Sequence, residues 1–217
     1  MMDENKKNIA FAYWASEFPD AKCTLNFSNP FECLVAVMLS AQTSDESVNR
    51  VTPALFSRFP SPLALANADI AEVENCIHSL GLYHSKASHL ISMAKSLVDN
   101  FSGKVPQTKK ELTSLSGVGI KTANVVLAEC FGVPGIAVDT HVGRVAKRLG
   151  FASANDEPVE VERKLEKAFQ KETWIPLHHR MIAFGRKTCH AQKPDCVSCG
   201  LCSVCSYFKK TAFKAGK

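Results

Sequence analysis

The sequence predicts an all-α protein made of short helices arranged in two lobes. Helix-capping residues recur along the chain, and apolar residues repeat at the spacing of one helix face. No segment shows the sustained alternation of apolar and polar residues that strands require. The composition, with 46% hydrophobic and 22% charged residues, is ordinary for a globular protein.

Helix starts are the clearest local features. Asn29 followed by Pro30 is typical of an N-cap with proline in the first turn, and it opens an apolar helix through Leu34, Val37 and Met38. Residue pairs with the spacing of a capping box predict three further starts: Thr43 with Glu46, Asp69 with Glu72, and Thr108 with Glu111.

Two of the predicted helices also have defined ends. The helix after Asp69 ends at Gly81, and the next helix begins at Ser85 and ends at Gly103, because glycine commonly terminates helices. The helix opened by Thr108 runs into Leu115. The residues expected to face inward are Ile70, Val73, Ile77 and Leu80 in the first helix, and Leu90, Met93, Leu97 and Phe101 in the second.

The charge is unevenly distributed. The formal net charge of +5 arises in the second half of the chain, since acidic and basic residues nearly balance in the first half. Pro134-Gly135 lies near this change and is a plausible boundary between the two lobes. A basic half points to a polyanionic partner.

The chain carries neither a membrane span nor a secretory signal that we can identify. No stretch approaches the ~20 apolar residues that a span requires. The N-terminus, Met-Met-Asp-Glu, is acidic where a signal would be basic. We therefore expect a cytoplasmic protein with no membrane partner, whose nine cysteines stay reduced rather than forming disulfides.

Five of those cysteines cluster near the C-terminus. Cys189, Cys196, Cys199 and Cys205 have the spacing C-x6-C-x2-C-x5-C, which predicts a metal centre in a reducing compartment. Cys202 leaves the ligands open, because Cys196, Cys199, Cys202 and Cys205 also form an unbroken C-x2-C series, and zinc on four of the five is an alternative. The other four cysteines, expected to be buried and inert, are Cys23, Cys33, Cys76 and Cys130.

A glycine turn between two helices is predicted within residues 115–127. Gly117 and Gly119 let the backbone approach a ligand closely, and the N–H groups at the start of the second helix suit a phosphate oxygen. Lys121 lies in the first turn of that helix. The positive helix end and a desolvated pocket would both favour its neutral, nucleophilic form. On the local sequence alone, an exposed lysine that contacts phosphate is the better interpretation.

Asp139 precedes another predicted helix, which carries Val142, Val145, Ala146 and Leu149 inward and ends at Gly150. Aspartate is a common N-cap, and a capping position also fixes its carboxylate rigidly. Such a carboxylate can assist attack by an amine and stabilise positive charge that develops on a sugar. The two roles are compatible.

The glycine turn resembles the helix-hairpin-helix motif of base-excision DNA glycosylases, and specifically that of the endonuclease III family. The resemblance extends to Leu-Ser-Ala-Gln-Thr-Ser-Asp at 39–45, Val-Asp-Thr-His-Val at 138–142 and the cysteine array at 189–205, so it covers most of the chain in the family's order. One departure is Ser116, where the family usually has proline.

The resemblance implies roles for particular residues. Lys121 would be the nucleophile and Asp139 its catalytic carboxylate. Cys189, Cys196, Cys199 and Cys205 would hold a 4Fe–4S cluster with a structural role, which pins a loop carrying Arg186, Lys187 and Lys193 where they meet phosphates. The other DNA contacts would be Gly117 and Gly119 in the hairpin (about residues 108–131), Gln42 and Leu82 as plug and wedge for a flipped nucleotide, and His141 on phosphate. His178 and His179 are expected to be structural.

The resemblance also implies a partner and a reaction. We expect a monomer, nucleoid-associated if bacterial, that acts on double-stranded DNA containing damaged bases or abasic sites. Lys121 would displace an oxidised pyrimidine, form a Schiff base at C1′, and cut the strand 3′ to the lesion by β-elimination. We assign 22–133 to one helical domain and 1–21 with 134–217 to the other.

Three alternatives remain open. An adenine-mismatch glycosylase shares the hairpin and cluster but lacks the lysine and normally carries a further C-terminal domain. A pyrimidine-dimer glycosylase is closer in chemistry. A non-catalytic DNA-binding protein with a structural iron–sulfur cluster belongs to a different class.

Overall fold

The computed structural model describes residues 4–215, and it divides the chain into two compact units. One unit, here called the hairpin unit, comprises Cys23–Val133. The other, the cysteine unit, comprises the chain up to Lys22 and from Pro134 onward. All regular elements of the described residues are helices, which confirms the all-α prediction.

The hairpin unit contains the helices α2 to α8, which are α2 (Pro30–Leu39), α3 (Asp45–Arg58), α4 (Pro62–Ala66), α5 (Ile70–Ile77), α6 (Tyr83–Phe101), α7 (Lys109–Thr113) and α8 (Ile120–Phe131). Its core forms around α2, which buries every residue but Pro30 and Glu32. Helix α2 packs against α3, α6 and α8. Burial of an apolar helix on several sides stabilises such a unit by roughly 25 cal/mol per Å² of apolar surface.

Most predicted caps in this unit are confirmed. The side chains of Asn29, Asp69 and Thr108 each accept a hydrogen bond from a first-turn N–H group. At Thr108 the two side chains of the predicted capping box also meet, since the Thr108 hydroxyl donates to Oε2 of Glu111 at 2.6 Å. These three starts could be predicted because a cap depends on residues close by in sequence.

Other boundaries of the hairpin unit differ from the prediction. Ser44, not Thr43, caps α3, and its side chain accepts from the Ser47 N–H. Helix α5 ends at Ile77 rather than Gly81, and α6 begins at Tyr83 rather than Ser85. Helix α7 ends at Thr113, before Leu115. The start of α6 was not predictable from glycine signals, because Leu82 itself adopts a left-handed conformation there.

The cysteine unit contains α1 (Glu4–Glu17), α9 (Thr140–Leu149), α10 (Pro158–Ala168), a 3-10 turn (Lys171–Thr173), α11 (Trp174–Lys187) and α12 (Ser206–Ala215). Trp14 of α1 is fully buried between the rings of Phe151 and Phe184. The Nζ of Lys6 donates to the Leu149 carbonyl and to the Ser206 hydroxyl, at 3.1 Å each. Helix α1 is thereby joined to segments far along the chain.

Within the described part of the chain, no helix combines the length and the apolar character needed to cross a membrane. The longest helix, α6, has 19 residues, and several of them are polar or charged.

Candidate functional site

Two helices of the hairpin unit meet at the predicted glycine turn. Helix α7 ends at Thr113, and Gly119 is the N-cap of α8. Gly117 has φ +75°, and a Cβ built on it would lie 2.9 Å from Cβ of His89, so a side chain there is excluded on two grounds. At Gly119, φ is −87° and a Cβ would meet nothing within 4 Å. The first glycine is therefore structural, and the second leaves space open at the helix start.

Lys121 is the second residue of α8 and is exposed. Its neighbour Ile120 is also half-exposed, at 53%. No side chain of the described residues caps α8, so its first N–H groups are directed toward solvent at the positive end of the helix dipole. The expectation that Lys121 lies in a desolvated pocket is wrong for this structure, because the side chain is on the surface.

Gln42 and Leu82 lie on two turns that border one cavity of the hairpin unit. The Gln42 turn (residues 40–44) follows α2, and the Leu82 turn (residues 78–82) precedes α6. The cavity has a volume of about 180 Å³, is open to solvent and is also lined by Gly117. Both tip residues are left-handed, with φ of 55° at Gln42 and 60° at Leu82, and both are exposed. Left-handed backbone is uncommon for residues other than glycine and costs of order 1–3 kcal/mol, so other contacts must hold these turns.

Lys86 supplies such contacts at the back of the same cavity. Its Nζ donates to the Leu39 carbonyl at 2.9 Å and to Oγ1 of Thr43 at 2.5 Å. The backbone N–H at this position makes the first helical bond of α6, to the Leu82 carbonyl at 3.0 Å. The side chain is 8% exposed, and this burial lowers its pKa.

In the cysteine unit, Asp139 is the N-cap of α9, as predicted for that helix. Its Oδ1 accepts from the backbone N–H groups of His141, at 2.9 Å, and Val142, at 2.8 Å. Its Oδ2 lies 3.1 Å from Nδ1 of His141. Because a carboxylate only accepts, this contact requires the proton on Nδ1 of the imidazole. The carboxylate is therefore fixed by two backbone donors and one ring, with a side-chain exposure of 14%.

Two arginines of α9 hold the start of the cysteine loop. Arg144 donates to the carbonyls of Cys189 and Gly185, at 2.9 and 3.0 Å. Arg148 donates to the carbonyls of His190 and Ala191, at 2.6 and 2.9 Å. The Arg148 guanidinium also lies 3.4 Å from Sγ of Cys189. These charge-assisted contacts keep the loop ordered although it contains no regular element.

All five clustered cysteines line a single small cavity beside Arg148 and Tyr207. Burial, followed by the neighbouring thiols Cys189 and Cys205, raises the pKa of Cys196. Burial also raises the pKa of Cys199, where Cys189, Cys205 and Cys196 act in the same direction. Cys202 is not one of the thiols that act on either group. Among the described residues, no set of three or more Cys, His, Asp or Glu side chains is arranged to hold a metal ion.

The remaining predicted residues of this unit occupy separate places. Lys193 is exposed in the cysteine loop, with a left-handed φ of 47°. Arg186 and Lys187 are exposed at the end of α11. His178 and His179 are buried in α11, in keeping with a structural role.

Three cysteines of the hairpin unit lie close together. The Cys33 thiol donates a hydrogen bond to Cys130, which raises the pKa of Cys33 and lowers that of Cys130. Burial raises the pKa of Cys23 to about 11. Only Cys33 is fully buried, whereas Cys23, Cys76 and Cys130 are half-buried, so the expectation of four buried cysteines is wrong for three of them.

The structure therefore brings several of the predicted site residues together and reveals others that the sequence did not indicate. Gln42, Leu82 and Gly117 border one cavity, Asp139 contacts His141, and the five cysteines share a second cavity. Sequence reasoning missed Lys86 and the two arginines. A signal for Lys86 was available, since it occupies the apolar stripe of α6 four residues before Leu90, where a charged residue requires a partner. No local signal marks Arg148, because its partners lie some forty residues away.

Comparison with known proteins agrees with this arrangement. Residues 35–171 match the model of the HhH-GPD superfamily of base excision DNA repair proteins. Endonuclease III of Bacillus subtilis strain 168 is 48% identical over 188 residues, which cover 87% of this chain and 86% of that protein. Endonuclease III of Escherichia coli K12 is 44% identical over 192 residues, covering 88% of this chain and 90% of that protein.

Solved structures extend the similarity to the fold. A structure of a trapped covalent intermediate between endonuclease III and DNA superposes with a TM-score of 0.94 at 47% identity. It covers 98% of this chain and 100% of that chain. The chain therefore belongs to the HhH-GPD superfamily of base excision DNA repair proteins and, within it, to the endonuclease III family.

Proposed function

We propose that this protein is a DNA glycosylase and abasic-site lyase of base excision repair, with Lys121 as the nucleophile. The observation that carries the proposal is the exposed Lys121 amine in the first turn of α8, directly beyond the glycine turn. A helix start that binds phosphate would bring the sugar next to this amine. Similarity to a protein trapped covalently on DNA supports the same chemistry.

The reaction needs a neutral amine, whereas the Lys121 side chain is exposed to solvent. We propose that bound DNA desolvates the amine, with the positive end of α8 disfavouring the ammonium form. The amine then forms a bond to C1′ of the sugar, and the bond from C1′ to the base breaks, with its electron pair leaving on the base. The nitrogen loses a proton, the C1′–O4′ bond breaks with its electron pair on O4′, which takes up a proton, and a Schiff base forms between Lys121 and C1′. In the β-elimination a proton is then removed from C2′ and the 3′-phosphate leaves with the electron pair of its bond to C3′, which cuts the strand 3′ to the lesion.

Asp139 is the proposed carboxylate of this reaction. Its capping bonds hold Oδ1, and the contact with His141 orients Oδ2, so the group is pre-organised rather than mobile. A fixed carboxylate stabilises the positive charge that develops on the sugar as the base leaves. We propose that His141 contacts phosphate in the same complex.

Two further groups of residues would bind the duplex. Gly117 and Gly119 would let the strand approach the N–H groups of α8, and Lys193 would contact phosphate electrostatically. Gln42 and Leu82, exposed at the tips of their turns, would fill the space left when the damaged nucleotide is flipped out. Their positions at the rim of one cavity support a joint role.

The donors in the cysteine unit fit a 4Fe–4S cluster. Five soft sulfur donors line one cavity, and four of them, Cys189, Cys196, Cys199 and Cys205, have the spacing of the family's cluster loop. We propose these four as ligands. A bound cluster would supply cross-linking of the loop. Arg144 and Arg148 hold the loop carbonyls, and the Arg148 guanidinium brings positive charge to within 3.4 Å of Sγ of Cys189.

The proposed substrates are oxidised pyrimidines and abasic sites in double-stranded DNA. We also propose that the protein acts as a monomer in the cytoplasm, associated with the nucleoid if the source is bacterial.

Borohydride trapping tests the proposal. Wild-type protein should form a covalent complex on abasic or thymine-glycol duplex, and Lys121→Ala should form none. Lys110→Ala, which removes an exposed lysine from α7 in the same hairpin, is the matched control and should still be trapped. Trapping that survives Lys121→Ala would place the nucleophile elsewhere. Tight DNA binding without trapping by the wild type would favour a non-catalytic DNA-binding protein.

A further inference from the structure

Lys86 links the Gln42 turn to α6, the helix that begins directly after the Leu82 turn. Its Nζ donates to the carbonyl of Leu39, just before the Gln42 turn, and to Oγ1 of Thr43 within that turn. Its backbone N–H makes the ordinary helical bond to the carbonyl of Leu82, four residues earlier, as any residue at this position would. One side chain of α6 therefore contacts both sides of a turn that lies more than forty positions earlier in the sequence.

The surroundings of the ammonium group explain how a buried lysine is accommodated. Leu39 is the last residue of α2, so its carbonyl belongs to the negative end of that helix dipole. The Thr43 hydroxyl accepts a hydrogen bond from the ammonium and donates one to the Ala41 carbonyl, 3.4 Å away. Burial lowers the pKa of Lys86, and these acceptors favour the charged form.

Thr43 is committed to this interaction and not to its helix. The sequence predicts it as the cap of α3, but Ser44 takes that role while the Thr43 hydroxyl faces Lys86. Gln42, which lies between Leu39 and Thr43, is left-handed at φ 55°. A backbone of this kind persists only where the surroundings determine it, and the two bonds from Lys86 meet that need.

We infer that Lys86 is a positioning residue that fixes the Gln42 turn relative to the Leu82 turn, so that both turns can contact the duplex together. The inference rests on the proposed glycosylase function and deepens it. Lys86 itself is buried and does not reach DNA. It acts through the placement of two exposed tips, at the step in which a base leaves the stack.

This role predicts that losing Lys86 affects the reaction rates on two substrates to different degrees. Removing a damaged base requires the nucleotide to be flipped and the gap to be filled. A preformed abasic site has no base to unstack, so attack by Lys121 depends less on the two turns. Displacing positioning groups by about 1 Å can reduce a rate by roughly a hundredfold. Loss of Lys86 should therefore impair base excision far more than trapping on an abasic site.

The test compares Lys86→Met with Lys95→Met under single-turnover conditions. Both variants replace a lysine of α6, but Lys95 is exposed and away from the cavity. We expect Lys86→Met to slow excision of thymine glycol by about tenfold to a hundredfold. Its borohydride trapping on an abasic duplex should be little changed. Lys95→Met should match the wild type on both substrates.

Several results would overturn the inference. Equal losses on both substrates would indicate a general structural role, and no loss would show that the turns hold without Lys86. If Lys86→Met does not fold, Thr43→Val tests the inference, because this variant keeps the lysine and removes one of its two acceptors. It must slow base excision more than trapping on an abasic site, by a smaller factor than Lys86→Met would. Failure of the wild type to be trapped would instead overturn the proposed function, and this inference with it.

Discussion

Asp139 offers a sharp test, because two roles can be separated at one carboxylate. Asparagine keeps an oxygen that can cap α9, whereas alanine removes it. The capping oxygen accepts two backbone N–H groups at 2.9 and 2.8 Å. Asparagine and aspartate are about equally good N-caps, and replacing either by alanine costs about 1 kcal/mol, up to 2. Losing the charge alone at a helix N-terminus costs roughly 0.3–1 kcal/mol.

These values predict an ordered series of melting temperatures. For a protein of about this size, 1 kcal/mol corresponds to roughly 2–4 °C. Asp139→Asn should therefore melt within a few degrees of the wild type, and Asp139→Ala should melt lower than Asp139→Asn. Thermal scans followed by circular dichroism at 222 nm, a wavelength suited to helices, measure the difference.

Base-excision activity should depend on the negative charge of Asp139 and not on its hydrogen bonds as a helix cap. Both variants lose the carboxylate, so both should lose about 10²- to 10⁴-fold in single-turnover base excision, the range typical of a positioned acid–base group. Excision by Asp139→Asn within a few-fold of the wild type would refute the catalytic role. An Asp139→Asn protein as unstable as Asp139→Ala would refute the capping argument instead.

Three other predictions follow from the described contacts. Gly117→Ala should lower the melting temperature and weaken DNA binding measured by fluorescence anisotropy, because φ is +75° and the new Cβ would lie 2.9 Å from His89, while Gly119→Ala should leave the melting temperature unchanged. Cys202→Ser should retain the visible absorption of the iron–sulfur cluster and Cys189→Ser should lose it; the opposite result would overturn the ligand assignment. Since burial raises the pKa of Cys23 to about 11, its thiolate fraction, and with it iodoacetamide labelling followed by mass spectrometry, should rise about tenfold per pH unit from pH 7 and level off only near that pKa. Labelling that levels off near pH 8 would contradict the raised pKa.

The features that could be predicted from the sequence are those that depend on neighbouring residues. Asn29, Asp69, Thr108 and Asp139 cap the helices expected of them, because a cap bonds N–H groups only two or three positions away. The all-α class followed from the same local signals.

Features set by distant contacts could not be predicted. Thr43 satisfies its local capping pattern, yet a lysine 43 positions away claims its hydroxyl, and Ser44 caps the helix instead. The start of α6 was misplaced because Leu82 adopts a conformation that its residue type disfavours. Lys121, by contrast, lies in the first turn of α8 and is exposed, as its local sequence alone indicated.

The bonds made by Lys6 have a consequence for the order in which the chain folds during synthesis. Lys6 is 143 positions from Leu149 and 200 positions from Ser206. The hairpin unit is contiguous, and its whole sequence lies between Lys6 and Leu149. A chain leaves the ribosome from its N-terminus, and closing a long loop costs entropy that only later contacts offset. The hairpin unit can therefore complete its core while synthesis continues. Helix α1 must wait, with Trp14 unburied, for partners that are synthesised after the hairpin unit.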